Sequence, residues 1–570
     1  MKKQTIFICA LFFTLALQAQ QIIITNVNLV DVKAGKIIPA QTIVLNGEKI
    51  EQVGAAAKIK PVAGAQTIDG SGKYLMPGMT DAHIHFFQSG GLYTRPDAVD
   101  LRKKMPYEKE KAFGLNNATD YLNRYLRLGV TSVIDVGGPM ANFTIRDSIS
   151  KTIISPNILV TGPLFSMVDR DQFGDDRPII KITTIEEADA LFKKMLPLKP
   201  DFIKIWYIAG PNLPAEKNFD LVKHIAEVTH ANGLPLTVHA TELRTAQFAV
   251  DAGADILVHS IDDAVVPDDF VKKLKDKKIT YIPTLTVAHG YYNVFAGKLN
   301  NDPQDLAWAN AFVYGSITDP EAMAEADLPP ALKLFRKNGI PAYAKTEDSI
   351  SAINLLKLHK AGINIASGTD AGNIGTFHAS SYLQELQAMQ KAGLSVPEII
   401  KASTINPAIG FGKEQLWGTI EKGKLADILL LKNNPLDALQ NLNSIELVFK
   451  NGKKLLVDSI IKESPEAIVQ RQLNAYNARD IDAFMNTYSD DVELYDFPNT
   501  LTSKGKVEMR KGYEGFFKST TNLYCEIQKR IVIGNKVIDH EKVRAGTRTL
   551  NAVAVYEVEN GKIRKVTFIL

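Results

Sequence analysis

Residues 76–415 alternate short, almost wholly apolar runs with amphipathic helical stretches, and this alternation restricts the possible folds more than any other feature. Eight such runs stand out, at 79–85, 130–136, 158–161, 202–207, 236–239, 256–259, 280–284 and 363–367. A strand that is apolar on both sides must be buried on both faces, and a parallel sheet covered by helices provides that burial. Eight successive strand–helix units predict an α/β fold of the (β/α)8 TIM-barrel type. The stretch 290–350 is longer than an ordinary connection and is expected to place helices over the barrel mouth, as a lid or specificity element.

At 570 residues the chain has room for more than one domain. Segments 20–75 and 416–460 are both rich in short strands, with hairpin turns at Asn46-Gly47 and Asn451-Gly452. They are expected to form one small β-sandwich domain built from both flanks of the barrel. A third block, 464–570, begins at Ser464-Pro465 with two helices and continues as strands, an α+β pattern.

The first residues read as a targeting segment. Lys2 and Lys3 precede an apolar run at 6–17, and Leu17-Gln18-Ala19 offers a cleavage point, so residues 1–19 are expected to be a signal peptide. No other stretch reaches the roughly 18 unbroken apolar residues of a membrane span. Export across the inner membrane to the periplasm is expected, without stable membrane insertion. The two cysteines are Cys9 and Cys525. Removal of the signal would leave Cys525 alone, which excludes an intrachain disulfide. Phe7-Ile8 before Cys9 lacks the small residues of a lipid-anchor site. Basic and acidic residues nearly balance, 66 against 63, which argues against nucleic acid as a partner.

The reactive residues follow the strands. His83 and His85 lie two apart on the first, so both imidazoles point the same way. His239 ends the fifth strand, His259 ends the sixth, and Asp370 follows the eighth. These are C-terminal strand ends, where barrel enzymes keep their sites. Lys204 sits between Ile203 and Ile205 and should face the barrel interior with Phe202 and Trp206. Burying an unpaired ammonium is costly. Lys204 therefore needs a carboxylate partner, or it has reacted with CO2 to give a carbamate, an anion able to bridge two metals.

Together these motifs resemble the amidohydrolase superfamily, and within it the imidazolonepropionase-like and prolidase-like hydrolases. The resembling pieces are Pro77-Gly78-Met79-Thr80-Asp81-Ala82-His83-Ile84-His85, Phe202-Ile203-Lys204-Ile205, Val238-His239-Ala240, Val258-His259-Ser260 and Gly368-Thr369-Asp370. The resemblance covers roughly residues 22–458. It implies a metal-dependent hydrolase of C–N bonds in a small-molecule substrate: an amide, a peptide-like bond or a cyclic amide, with lactones open to the same chemistry. It implies two divalent metal ions, commonly Zn2+, one on His83, His85 and Asp370, the other on His239 and His259, bridged by carboxylated Lys204. Metal ions lower the pKa of a bound water and polarise a carbonyl. Asp370 would take the proton and pass it to the leaving nitrogen.

Two features depart from that pattern. His239-Ala240-Thr241-Glu242 has the His-x-x-Glu spacing of one-metal deaminases and cyclic-amide hydrolases, in which Glu242 would be the acid/base. The run after the third strand, from Thr161 to Arg170, lacks a histidine that related hydrolases often carry. His289 and His378 are candidate substrate contacts. His224, His230 and His359 fall on helices and are expected at the surface.

The run from Ala475-Tyr476 through Arg479-Asp480 and Phe484 to Tyr488 and Asp491 resembles the NTF2-like, SnoaL-like family, whose fold is a cone around a pocket. Some relatives are isomerases. Asp496 lies near the position of their base, but Gln472 stands where they carry a tyrosine. The expectation for this block is a ligand-gripping domain or a homodimer contact. The alternative is a protein that acts only by binding a ligand there.

Overall fold

The computed structural model describes residues 21–60, 64–210, 212–298 and 302–570. The expected signal segment, 1–19, lies outside the described residues. No helix among the described residues is long and apolar enough to cross a membrane.

The central strands form where the apolar runs predicted them. Met79–Ile84 pairs in parallel with Val130–Asp135, which pairs with Asn157–Val160. Ile203–Trp206, Leu236–His239, Ile256–Val258, Thr280–Ile282 and Asn364–Ile365 follow, each parallel to the next. Backbone bonds join the two sets. Asp201 N donates to Val160 O at 2.9 Å, Ala82 N to Ser367 O at 3.0 Å and Asp370 N to His83 O at 2.7 Å. The strand order thus returns to its first member, consistent with the expected (β/α)8 barrel. Every residue of the first two strands is buried, as strands covered on both faces require. The helix Phe219–Ala231 shows how the layers meet: Leu221, Val222, Ile225 and Ala226 are buried, while Asp220 and Glu227 face out.

The long segment after the seventh strand is helical, with Val287–Phe295, Pro303–Trp308, Ala311–Ser316, Pro330–Asn338 and Ala342–Lys360. The last of these leads into the eighth strand.

Strands from both flanks share one hydrogen-bonded sheet of eight strands. Its seam is the antiparallel pairing of Tyr74–Pro77 with Ile428–Leu431. Alternation gives the sheet two roles. Leu75, Leu430 and Phe449 pack within its own core, while Met76, Leu429 and Val448 join the barrel core. This contact holds the first barrel strand, and hence His83 and His85, against a rigid support.

The C-terminal block is a six-stranded sheet packed by Pro465–Ala478, Ile481–Asn486 and Lys506–Ser519 around its own core. Its first helix docks on the lid segment. Arg471 donates to Leu306 O and Ala309 O at 2.6 and 3.0 Å, and Asn474 donates to Ala311 O at 2.7 Å.

Candidate active site

A cavity of 640 Å³ opens at the C-terminal ends of the central strands, lined by His83, His85, Lys204, His239, His259 and Asp370. His239 and His259 sit at or just past the ends of paired strands, whereas Lys204 pairs with Thr237, two residues deeper in the barrel. Glycines let the chain close around all six. A Cβ at Gly368 would lie 2.9 Å from His83 N, and one at Gly372, whose φ is +106°, would lie 2.5 Å from His85 O. His259, Thr284 and Asp370 adopt positive φ values of 75°, 46° and 60°. Such backbone is costly for residues with a Cβ, more so for branched Thr284, and tends to concentrate at functional sites.

Ligand-like atoms face one another. Asp370 Oδ1 lies 3.3 Å from His83 Nε2 and 3.0 Å from His85 Nε2, and the two Nε2 atoms are 3.3 Å apart. These three side chains can present one atom each to a common ion. His85 Nδ1 lies 2.7 Å from Gly137 O. A carbonyl only accepts, so Nδ1 carries the hydrogen and Nε2 turns a lone pair to the cavity, as a metal ligand requires. The rings of His83 and His239 are centred 4.9 and 4.4 Å from that of His259. His259 Nδ1 is 2.9 Å from Thr284 Oγ1 and 3.8 Å from Asp370 Oδ2.

Burial, reinforced by Lys204, pushes the pKa values of His83 and His239 well below the ordinary range. Burial, then His239 and Lys204, does the same to His259. All three are neutral at physiological pH, the state that binds metal. Lys204 is 2% exposed and its Nζ has no hydrogen-bond partner, so the carboxylate partner it would otherwise need is not in contact. Burial lowers its pKa to about 7, against the opposing pull of Asp370. His83 Nδ1 and Asp370 Oδ1 also lack hydrogen bonds. Buried polar atoms left without partners at one point fit residues built around ions.

One expected substrate contact, His378, and the alternative acid/base, Glu242, lie elsewhere. His378 does not line the cavity. It is buried behind the wall, with Nε2 2.9 Å from Gln88 O, Nδ1 3.1 Å from Tyr125 OH and its ring stacked on Tyr121. Its eight-residue separation from Asp370 fixes distance along the chain but not the face it points to. Glu242 is also outside the wall. It occupies the N-cap position before the helix Leu243–Ala252, half-exposed, while its neighbour Thr241 reaches the cavity. His289 does line the cavity, at its rim, 3.3 Å from Asp348.

Other residues enter that the sequence did not single out. Thr369 donates to Asp81 through its hydroxyl at 2.7 Å and its backbone N at 3.0 Å, fixing the turn that presents Asp370. Asn373 donates to Asp370 O at 3.0 Å and accepts from Arg95 at 2.6 Å and Tyr291 at 2.7 Å. The motif containing Asp81 and Thr369 was the only available signal; Arg95 and Tyr291 come from loop and lid and carried none. Asp262, Glu347 and Asp348 add a carboxylate side to the wall, and burial, then Glu347, raises the pKa of Asp262 to about 7.

The family model of the amidohydrolases matches residues 74–455, and that of the SnoaL-like domain matches residues 469–566. A 5-methylthioadenosine/S-adenosylhomocysteine deaminase of Caldanaerobacter subterraneus subsp. tengcongensis is 22% identical over 77% of this chain and 94% of its own length. An imidazolonepropionase of Shouchella clausii is 22% identical over 75% of this chain and 88% of its own. Among solved structures, a Xaa-Pro dipeptidase with bound methionine in its active site is 20% identical, with a TM-score of 0.57 over 77% of this chain and 100% of its own, a likeness of fold. The chain belongs to the amidohydrolase family: it is an enzyme, a hydrolase acting on carbon–nitrogen bonds, with a SnoaL-like domain at its C-terminal end.

Proposed function

We propose that the protein hydrolyses an amide-type bond in a small substrate with two divalent cations, Zn2+ the first candidate, held by His83, His85, Asp370, His239, His259 and a carboxylated Lys204. The observation that carries this reading is the Lys204 amine, buried without a partner among four imidazoles and a carboxylate. A lysine with a pKa near 7 has a substantial neutral fraction at physiological pH. Its nitrogen can add to CO2, forming an N–C bond and releasing one proton. The product is an anion where an ammonium would face neutral histidines.

Divalent ions held in this cradle would supply hydroxide at neutral pH and polarise the scissile carbonyl. The protein's own residues do the rest. Asp370, which touches His83 and His85, would accept the proton of the attacking water and deliver it to the leaving nitrogen. Asn373 and Thr369 hold the turn that carries it. The lid residues Tyr291, Tyr292 and Phe295 line the cavity and would shield a bound substrate from bulk water. Substrate classes to test are dipeptides, N-acyl amino acids, cyclic amides and lactones. Glu242 as acid/base in a one-metal reaction is disfavoured by its position outside the wall.

The test is turnover of that panel by the metal-loaded protein, with Lys204→Ala beside it. Loss of both turnover and one metal equivalent on Lys204→Ala supports the reading. Undiminished turnover by that variant refutes it. Export to the periplasm is part of the same proposal, tested by processing of residues 1–19 and fractionation. A homodimer through the C-terminal domain is tested by the solution mass of the full chain.

A further inference from the structure

The C-terminal domain encloses a cavity of its own, of 630 Å³, which shares no lining residue with the barrel cavity. Gln472 lines it, and Asp496 is exposed outside it. The domain meets the barrel elsewhere, at the lid segment 303–321.

That segment is poorly equipped to hold its own shape. Its helices, Pro303–Trp308 and Ala311–Ser316, have six residues each. Isolated helices shorter than about 12–15 residues are marginal in water, because nucleation costs more than so few bonds return. The last carbonyls of a helix also lack partners within it. Here side chains from outside supply them. Leu306 O and Ala309 O accept from Arg471 of the C-terminal domain, and Trp308 O accepts from Arg124 of the barrel at 2.7 Å. Glu463 lies between the two arginines and accepts from both, at 3.1 Å from Arg124 and 3.0 Å from Arg471, which fixes their directions. Asn474 takes Ala311 O. Gly315 permits this close approach: a Cβ there would lie 2.7 Å from Gln470 Nε2 and 3.1 Å from Asn474 Oδ1. Farther along, Tyr524 donates to Thr318 O at 3.2 Å.

The same segment also reaches the hydrolytic cavity. Leu92 N donates to Ser316 Oγ at 3.1 Å, and Tyr93 OH donates to Asp319. Two residues on, Arg95 lines the cavity and donates to Asn373. Glu321 accepts from Arg336 at 2.7 Å. The neighbouring Phe335 stacks on Tyr292, ring centres 5.6 Å apart, and meets Phe295 edge-on at 5.5 Å. Tyr292 and Phe295 line the cavity too. The turn bearing Asp370 is held differently, by Asp370 N to His83 O and Thr369 to Asp81 inside the barrel.

We propose that the C-terminal domain positions the substrate-facing wall of the barrel cavity: Arg471, Asn474 and Tyr524 grip the lid segment, which in turn holds Arg95, Tyr292 and Phe295 in place. The proposal rests on the barrel cavity being the hydrolytic site. Arg471, Asn474 and Tyr524 are positioning residues, so their loss weakens substrate binding and leaves the proposed metal ligands undisturbed.

The test uses the full chain. Arg471→Ala and Tyr524→Phe remove contacts from the C-terminal side. Gly315→Val wedges the same interface from the barrel side and leaves the C-terminal sequence native. Val566→Ala, in the C-terminal core, controls for lost stability. Hydrogen–deuterium exchange should quicken in residues 86–99 and 303–321 of Arg471→Ala and Gly315→Val, stay unchanged in 236–259, and stay unchanged in all three regions of Val566→Ala. On the panel member that the wild-type chain cleaves fastest, KM should rise about tenfold in Arg471→Ala and about threefold in Tyr524→Phe, with kcat within about threefold and metal content unchanged. Arg471→Lys, which keeps a donor, should recover part of the KM. The proposal is overturned if exchange in 86–99 is unmoved, if Val566→Ala reproduces the pattern, or if kcat falls while KM holds. Absence of turnover in the wild-type chain would count against the proposed hydrolysis, and the exchange pattern alone would then decide this proposal.

Discussion

The two cavities are nearly equal in volume, 640 and 630 Å³, and differ in chemistry. The barrel cavity gathers four imidazoles, a lysine and a carboxylate from strand ends far apart in sequence, several without hydrogen-bond partners. The C-terminal cavity is lined largely by aromatic and aliphatic side chains, and its buried carboxyl group, Glu541, accepts a hydrogen bond from Tyr556 at 2.8 Å. Unpartnered donors and acceptors at one point suit ions and a developing charge, whereas a partnered acid among rings suits a bound ligand. On the proposed reading catalysis belongs to the first cavity, and substitutions in each should leave the other's behaviour intact.

The largest separation is expected from His239→Ala. Loss of this proposed metal ligand should lower kcat/KM by about 10³-fold or more, several kcal/mol of transition-state stabilisation. Glu541→Leu, in the C-terminal cavity, should by contrast keep kcat/KM within about threefold, less than 1 kcal/mol. Asp370→Asn keeps the shape but removes the proton acceptor. Steady-state kinetics should show kcat reduced by about 10²–10⁴-fold. A loss of turnover in Glu541→Leu as great as that in His239→Ala or Asp370→Asn would break the division between the cavities.

A smaller effect tests the layer behind the ligands. Asn373 ties Asp370 to Arg95 and Tyr291. Asn373→Ala should reduce kcat/KM by about 10–100-fold, the usual cost of losing support behind a metal ligand. The smallest effect is expected at Glu242, outside the cavity wall. Glu242→Gln should keep kcat/KM within about threefold, less than 1 kcal/mol. A loss as great as that of Asp370→Asn would restore the one-metal mechanism with Glu242 as acid/base.

Much of the barrel site was legible in the sequence because local order encodes it. An apolar run ending in histidine places that histidine at a strand end, as at Val238-His239 and Val258-His259. Lys204 stood out because a charge between two isoleucines must go inward. The sequence misled where side-chain direction depends on packing. His378 follows Asp370 closely, yet stacks on Tyr121 from a distant helix. Glu242 has the spacing of an acid/base, but its helix begins at the next residue and the cap position turns it outward. Arg95, Asp262 and Glu347 meet only through tertiary folding of loops and lid, which no local pattern announces. In the C-terminal block the strands and helices were evident, but Glu541 was not, because alternation along a strand does not reveal which face holds a cavity.

Lys204 is the residue on which the catalytic account turns, and metal content is its most direct readout. Elemental analysis of the purified protein, prepared with bicarbonate and a divalent cation, should give close to two metal ions per chain. Lys204→Ala should bind about one or none, with turnover lost alongside. A single metal ion per chain that Lys204→Ala leaves in place, with turnover intact, would contradict the account.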